Sequence, residues 1–290
     1  MSKLKNPFAP FDDALAEAMA VNIRAALVED IGSGDWTVLL LPESSQVKAK
    51  VVVREDAVLC GAPWFEGVMT QVNPHIRIQW HFAEGDLMPA DSTVCSIVGP
   101  ARSLMTAERP ALNFLQLLSG VATTTRDYVK LIEGTKASIL DTRKTLPGLR
   151  LAQKYAVRVG GGKNQRLALY NGILIKENHI AAAGSIKAAM DAAHLLKAGV
   201  SIQIEVETLD ELKQALDAGA TSILLDNFSN DMMREAVAMT AGKAVLEASG
   251  GVNRDSVRAI AETGVDRISI GALTKDLKAT DYSLRVSAPT

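Results

Sequence analysis

An α/β chain ending in an incomplete, TIM-like β/α barrel is the fold class the sequence predicts, and three observations predict it. Beyond about residue 136, short strand-like runs (ASILDT, GILIKEN, SIQIEVE, TSILLDNF, AVLEASG, DRISIGA) alternate with amphipathic stretches, repeating every 20–23 residues or so. Such βα repeats imply parallel strands joined by crossovers. The strand faces then favour a barrel over an open doubly wound sheet. Ile202, Ile204 and Val206 share one face, and Gln203, Glu205 and Glu207 the other; Leu246 and Ala248 oppose Val245, Glu247 and Ser249; Ile268 and Ile270 oppose Arg267, Ser269 and Gly271. Strands covered by helices on both sides should be apolar on both faces. One polar face instead implies helices outside and a polar interior. Six strands are clear, with a seventh counted at most, so the barrel falls short of the usual eight.

The elements before the barrel read differently. Residues 12–30 place Leu15, Met19, Ile23 and Leu27 at helical spacing, and GSGD at 32–35 ends that helix. From Gln46 to Gly99, the alternation in VKAKVVVRED and IRIQWHFAEGD and the short run STVCSIVG are separated by turn residues. They predict a small, mostly antiparallel sheet with a helix on one face. Residues 103–119 are helical; Pro110 is expected to kink that helix or open a new one, and Gly120 to mark a domain junction. In the barrel, helices are expected to start after Ser185, Thr208 (with Glu211 completing a capping box), Ser229 and Asn253. They should end at Gly199, Gly219, Gly242 and Gly264.

The totals narrow the function classes. With 31 basic and 33 acidic residues and 48% hydrophobic residues, the composition is that of a soluble globular protein, and a net charge of -2 gives no reason to expect nucleic acid. No apolar run approaches the roughly 18 residues of a membrane span. The opening MSKLKNPFAPFDD lacks the apolar core of a signal peptide, so no membrane association and a cytoplasmic location are expected. Cys60 and Cys95 lack metal-ligand spacing and the histidines are scattered.

Against this near-neutral background, Thr142 to Lys176 carries Arg143, Lys144, Arg150, Lys154, Arg158, Lys163, Arg166 and Lys176 without one Asp or Glu. Arg150, Lys154 and Arg158 suit a solvated helix face. The others flank glycines and short apolar runs, an excess that an anionic ligand would relieve. In such a barrel the chemistry sits at the C-terminal ends of the strands. Those ends carry Asp141-Thr142-Arg143-Lys144, Lys176-Glu177-Asn178-His179, Glu205, Asp226-Asn227, Ser249-Gly250-Gly251 and Gly271-Ala272. The small loops can cradle a phosphate on peptide N–H groups. The inward carboxylates can act as acid and base, hold Mg2+ or accept from sugar hydroxyls, or else form a structural ion pair with Lys176 or Arg143. The set suits a sugar phosphate bearing a leaving group, plus a second acidic substrate. A barrel aldolase with a Schiff base on Lys176 is the rival chemistry.

The runs EDIGSGDWT, VVVREDAVLCG, MTAERPALNFLQLLSGVAT, DTRKTLPGLR, GGGKNQRLALYNGILIKENHI, EVETLDEL, LLDNF, LEASGGV and ISIGALTK resemble the quinolinate phosphoribosyltransferases, in collinear order from the first helix to about Lys275. The resemblance implies an N-terminal open α/β sandwich over 1–119, with 276–290 returning to it, and an incomplete barrel over 120–275. It implies a homodimer with shared active sites, in some members assembled further. Quinolinate and phosphoribosyl pyrophosphate would become nicotinate mononucleotide, pyrophosphate and carbon dioxide, with Mg2+. By motif, Arg143, Arg166, Lys176 and His179 would surround the quinolinate carboxylates, joined by Arg109 from the partner subunit. Lys144 would bind phosphoribosyl pyrophosphate, and Thr142 would be among the substrate-binding residues. Glu205 and Asp226 would hold its ribose hydroxyls and Mg2+, the metal through water. Ser249, Gly250, Gly251, Ile270, Gly271 and Ala272 would surround the phosphate, and Lys144, Lys176, Glu205 and Asp226 would carry catalysis. Two departures stand out: Asn164-Gln165-Arg166 where the family usually has NHR, and Leu167-Ala168-Leu169-Tyr170-Asn171 where it has LGL(S/Y)D. Gln165 can donate a hydrogen bond but cannot become cationic. Specificity for a related pyridine or aromatic acid is therefore the alternative, and a non-catalytic, ligand-binding descendant a further one.

Overall fold

The computed structural model describes residues 12–287; most of the opening stretch read for a signal peptide lies outside them. In chain order the elements begin with α1 (Asp12–Ile31), β1 (Gln46–Val53), β2 (Ala57–Val58), α2 (Ala62–Val72), β3 (Arg77–Trp80), β4 (Leu87–Met88), β5 (Thr93–Pro100) and α3 (Ala101–Leu131). Next come β6 (Ser138–Leu140), α4 (Arg150–Val159), β7 (Gly172–Ile175), α5 (Glu177–Ala183), α6 (Ile186–Leu195), β8 (Ser201–Val206) and α7 (Leu209–Asp217). The chain finishes with β9 (Ser222–Asp226), α8 (Asn230–Thr240), β10 (Val245–Ser249), α9 (Val257–Ala261), β11 (Arg267–Ser269), α10 (Ala272–Lys275) and β12 (Tyr282–Ser287).

These elements form two compact units. The first takes the chain up to Arg126, then Leu146–Gly161 and the residues from Asp276 onward; the second takes Asp127–Thr145 and Gly162–Lys275. A cut at 119/120 thus differs from the observed division by a few residues at the junction, and by Leu146–Gly161, which carries α4 into the first unit.

In the first unit an antiparallel sheet runs β12-β1-β5-β3. Alternation in β1 buries Val47, Ala49 and Val51 and leaves Gln46, Lys48 and Lys50 outside. Helix α2 supplies Trp64, Phe65, Val68 and Met69 to the core, the Phe65 ring meeting Trp80 edge-on at 5.5 Å. Two expectations need correction here. Helix α3 is continuous across both Pro110 and Gly120, so no new helix opens at the proline. Burial of Ala107, Ala111, Leu112, Leu115 and Leu118 along it outweighs the ~3 kcal/mol cost of an internal proline. Gly120 is a notch: a Cβ there would strike the Lys278 carbonyl oxygen, where the chain crosses the helix and Thr280 N–H donates to Gln116 O at 3.0 Å. The second correction concerns α4. Lys154 is 0% exposed and Ala152 to Val157 are all buried, while Arg158 stays exposed, so the basic face read from the sequence loses Lys154 to the interior.

In the second unit six parallel strands run β6-β11-β10-β9-β8-β7. Strands β7 to β11 follow chain order, and β11 then pairs with β6, so the sheet curls until its first and last strands meet. An open doubly wound sheet would instead reverse its order. The gap lies between β6 and β7, and Lys163 bridges to Leu140 along the open edge of β6. The polar interior read from the strand faces is present: Gln203, Glu205, Glu247 and Ser269 are all buried. Ser185, Thr208 and Ser229 cap their helices as expected, and Glu211 completes the box with Thr208. Asn253 opens a turn instead, its side chain accepting from Asp255 and Ser256 N–H, and α9 starts only at Val257. Among the described residues no helix is long and apolar enough to cross a membrane.

Candidate active site

Because all six strands of the second unit are parallel, their C-terminal ends gather at one mouth, and the loops predicted to carry chemistry gather with them. The β8–β9 register opposes Glu205 to Leu224, and Asp226 follows Leu224 by two residues. Both carboxylates therefore point to the same side of the sheet. Glu205 is 9% exposed and receives Lys176 Nζ on both oxygens, at 2.9 and 2.7 Å. The structural ion pair weighed from the sequence is thus formed with Lys176. Asp226 is more open and accepts from Asn227 Nδ2 at 2.9 Å.

The two small loops are built by close approach. Asn227 takes φ +56° and donates its N–H to Ser249 O at 3.0 Å. That brings its amide against Gly250, where a Cβ would overlap Asn227 Oδ1 and the backbone turns at φ +104°. Only glycine meets both demands. On the other side Lys144 lies over Gly271, its Cδ 3.0 Å from where a Cβ would be. Thr142 Oγ1 accepts from the Lys144 N–H at 3.0 Å, and Thr274 Oγ1 donates to the Lys144 carbonyl at 2.7 Å. Ile270 is buried and its N–H is used on Leu140 O, so its side chain serves the core.

Arg143 and Arg166 form the third feature. They are close enough that Arg143, after burial, is the second cause holding the Arg166 guanidinium below its ordinary range. Arg166 Nη1 donates to Gly172 O at 3.0 Å, while Arg143 Nε is buried with no hydrogen-bond partner. Two guanidiniums near enough to repel each other, one with an unspent buried donor, suit a bound anion. The loop bearing Arg166 is pinned by Asp141, fully buried, which accepts from Asn164 Nδ2 at 2.6 Å and Gln165 N–H at 2.9 Å.

Of the remaining candidates, His179 is exposed and its Nδ1 accepts from the Lys176 N–H at 3.0 Å. Arg109 lies in the first unit, exposed on α3. In the sequence only the alternation of β8 and β10 points to Gln203 and Glu247, which it places on the inward faces. Neither cysteine is placed for chemistry: both are buried and free, and burial pushes the Cys95 thiol up to about 12.

The chain is similar to known proteins along most of its length. The family models for the N-terminal and C-terminal domains of quinolinate phosphoribosyl transferase match residues 35–119 and 121–285. A probable nicotinate-nucleotide pyrophosphorylase [carboxylating] of Bacillus subtilis is 39% identical over 90% of each chain. A mitochondrial quinolinate phosphoribosyltransferase [decarboxylating] of Nicotiana tabacum is 36% identical over 98% of this chain and 85% of its own. The solved nicotinate-nucleotide pyrophosphorylase of Francisella tularensis superposes with a TM-score of 0.91 at 46% identity, covering 93% of this chain and 96% of that one. A six-strand barrel whose mouth gathers opposed cations, inward carboxylates and glycine-rich turns, in a chain matched along most of its length, belongs to the quinolinate phosphoribosyltransferase family.

Proposed function

We propose that this chain transfers phosphoribose from phosphoribosyl pyrophosphate to the ring nitrogen of quinolinate. Loss of the 2-carboxylate then gives nicotinate mononucleotide, pyrophosphate and carbon dioxide, a step of NAD biosynthesis. The observation that carries the reading is the mutually repelling pair Arg143 and Arg166, with the buried unpartnered Nε of Arg143, in the same unit as the Lys176–Glu205 pair. Quinolinate brings two carboxylates to those cations, and His179 stands at the same strand end. Lys144, Thr142 and the turns at Ser249–Gly251 and Ile270–Ala272 take the phosphate groups.

The sugar passes through an oxocarbenium-like state. Glu205 and Asp226 stabilise that positive charge and accept from the ribose hydroxyls, while Lys144 offsets the charge growing on the pyrophosphate. The ring nitrogen attacks the anomeric carbon. Once alkylated it is cationic, so the electron pair left by departing carbon dioxide is held next to a positive centre and needs no dedicated base. The protein contributes position and charge more than a nucleophile.

Among the described residues no group of three or more His, Cys, Asp or Glu forms a metal cage. Glu205 and Asp226, on one side of adjacent strands, instead fit the way Mg2+ is usually held, by one or two carboxylates together with substrate phosphates and water. Glu205 and Asp226 would hold Mg2+ there, and the ion would supply charge neutralisation for the pyrophosphate. A Schiff base on Lys176 needs an uncharged amine, whereas this ammonium is engaged by both oxygens of Glu205. The working molecule is a cytoplasmic homodimer in which Arg109 of each subunit completes the pocket of the other.

Incubation with quinolinate, phosphoribosyl pyrophosphate and Mg2+ tests the reading, with carbon dioxide and the mononucleotide measured together. Stoichiometric release is expected. Turnover of another pyridine acid but not quinolinate would move the specificity.

A further inference from the structure

Inside the barrel lies a chain of side chains for which the transfer reaction has no direct use. The Arg166 peptide N–H donates to Gln165 Oε1, Gln165 Nε2 donates to Gln203 Oε1 at 2.7 Å, and Gln203 Nε2 donates to Glu247 Oε2 at 2.9 Å. Gln203 and Glu247 belong to β8 and β10, with β9 between, so the last bond crosses the interior. Glu247 is 1% exposed and its Oε1 has no hydrogen-bond partner.

Such a carboxylate is a poor choice for stability alone. Burying it is costly, and an apolar residue of similar volume would often be at least as stable. What it can provide is direction. A primary amide is nearly symmetric in shape and can present oxygen or nitrogen to a neighbour. An ionised carboxylate only accepts, so it draws the Gln203 NH2 toward itself. The Gln203 oxygen must then face Gln165, which turns the Gln165 NH2 inward and its oxygen toward the Arg166 N–H. One buried carboxylate thus sets the sense of two amides and of the peptide that carries Arg166.

We propose that Glu247 is a positioning residue which, through Gln203 and Gln165, orients the Arg166 segment and so sets the affinity of the pocket for the acidic pyridine substrate. This rests on reading Arg143 and Arg166 as the quinolinate pocket, and binding is therefore measured apart from turnover.

The full-length Glu247→Leu, Gln203→Leu, double and Glu247→Gln variants test it, with quinolinate Kd from calorimetry, both KM values and the melting temperature. Glu247→Leu should weaken quinolinate binding about tenfold and leave the KM for phosphoribosyl pyrophosphate within about twofold, without lowering the melting temperature. Gln203→Leu should weaken binding to the same extent, and the double variant no further, since all three cut one chain. Glu247→Gln, whose amide can turn either end toward Gln203, keeps the volume but not the fixed direction and should recover only part of the affinity. Unchanged quinolinate Kd in Glu247→Leu overturns the proposal. So does a parallel rise of both KM values with a lower melting temperature, or additive effects of the two Leu substitutions. Wild-type protein that binds quinolinate without releasing pyrophosphate would sink the transferase reading alone, with the variants' Kd values still deciding the relay. Wild-type protein that binds no quinolinate would sink both.

Discussion

Lys176 and Glu205 hold each other through both carboxylate oxygens, and binding two polyanions at this mouth must extend or reshape that pair. Removing the cation leaves a largely buried carboxylate uncompensated where another anion has to dock. Lys176→Met is expected to lower kcat/KM for quinolinate by about 10²-fold, roughly 2.7 kcal/mol, and steady-state kinetics with each substrate varied would check it. Glu247 supports a prediction in pH. Burial, as the largest cause, raises its carboxyl above the ordinary 4.5, so its stabilising share is complete below that value and is lost as pH rises through the raised one. At pH 8 the wild-type chain therefore bears a cost that Glu247→Gln lacks. The variant should melt higher there, and its advantage should shrink as pH falls toward 4.5; parallel melting curves across that range would rule this out. Charge counting found Arg143, Lys144, Arg166 and Lys176, because unmatched cations are visible in a string of letters. The bonds of Gln165, Gln203 and Glu247 were not visible, since which end an amide presents is settled by neighbours from distant strands.

Among the elements, α3 shows how local preference and packing can disagree. By helix propensity alone, Gly120→Ala should stabilise a helix interior by about 1 kcal/mol. The Lys278 carbonyl occupies the position of the new methyl group, and backbone gives way less easily than a side chain. Gly120→Ala is instead expected to destabilise by about 1–3 kcal/mol, as overpacking does. Chemical denaturation would reveal it, and a variant more stable than wild type would refute the notch. The same contrast explains what could be read in advance. The six barrel strands, the caps at Ser185, Thr208 and Ser229 and the antiparallel β1 and β5 follow from short-range patterns. The continuity of α3 through Pro110 and the burial of Lys154 depend on partners far along the chain.

For the whole molecule, the barrel was legible because parallel strands with one polar face leave little choice of architecture, whereas the transfer of Leu146–Gly161 to the other unit was not, since nothing in a basic amphipathic segment says which core takes it. The proposed homodimer with shared sites leads to a mixing experiment. Arg109→Ala and Glu205→Ala should each be nearly inactive, and an equal mixture with exchanging subunits should regain about a quarter of wild-type activity, because half the dimers then hold one intact site. No recovery despite exchange demonstrated by native mass spectrometry would remove Arg109 from the partner's pocket.

The pairing of β1 with β12 also bears on how the protein is made. Val53 meets Tyr282, so about 230 residues must be synthesised after β1 before its outer edge finds a partner. At about 5–20 residues per second, that edge waits for some 10–50 seconds on a growing chain. Its outward Lys48 and Lys50 discourage intermolecular pairing meanwhile, as charges on an open edge do. A ribosome stalled before residue 282 would therefore carry a first unit still lacking its last strand, and with it a site for chaperone capture.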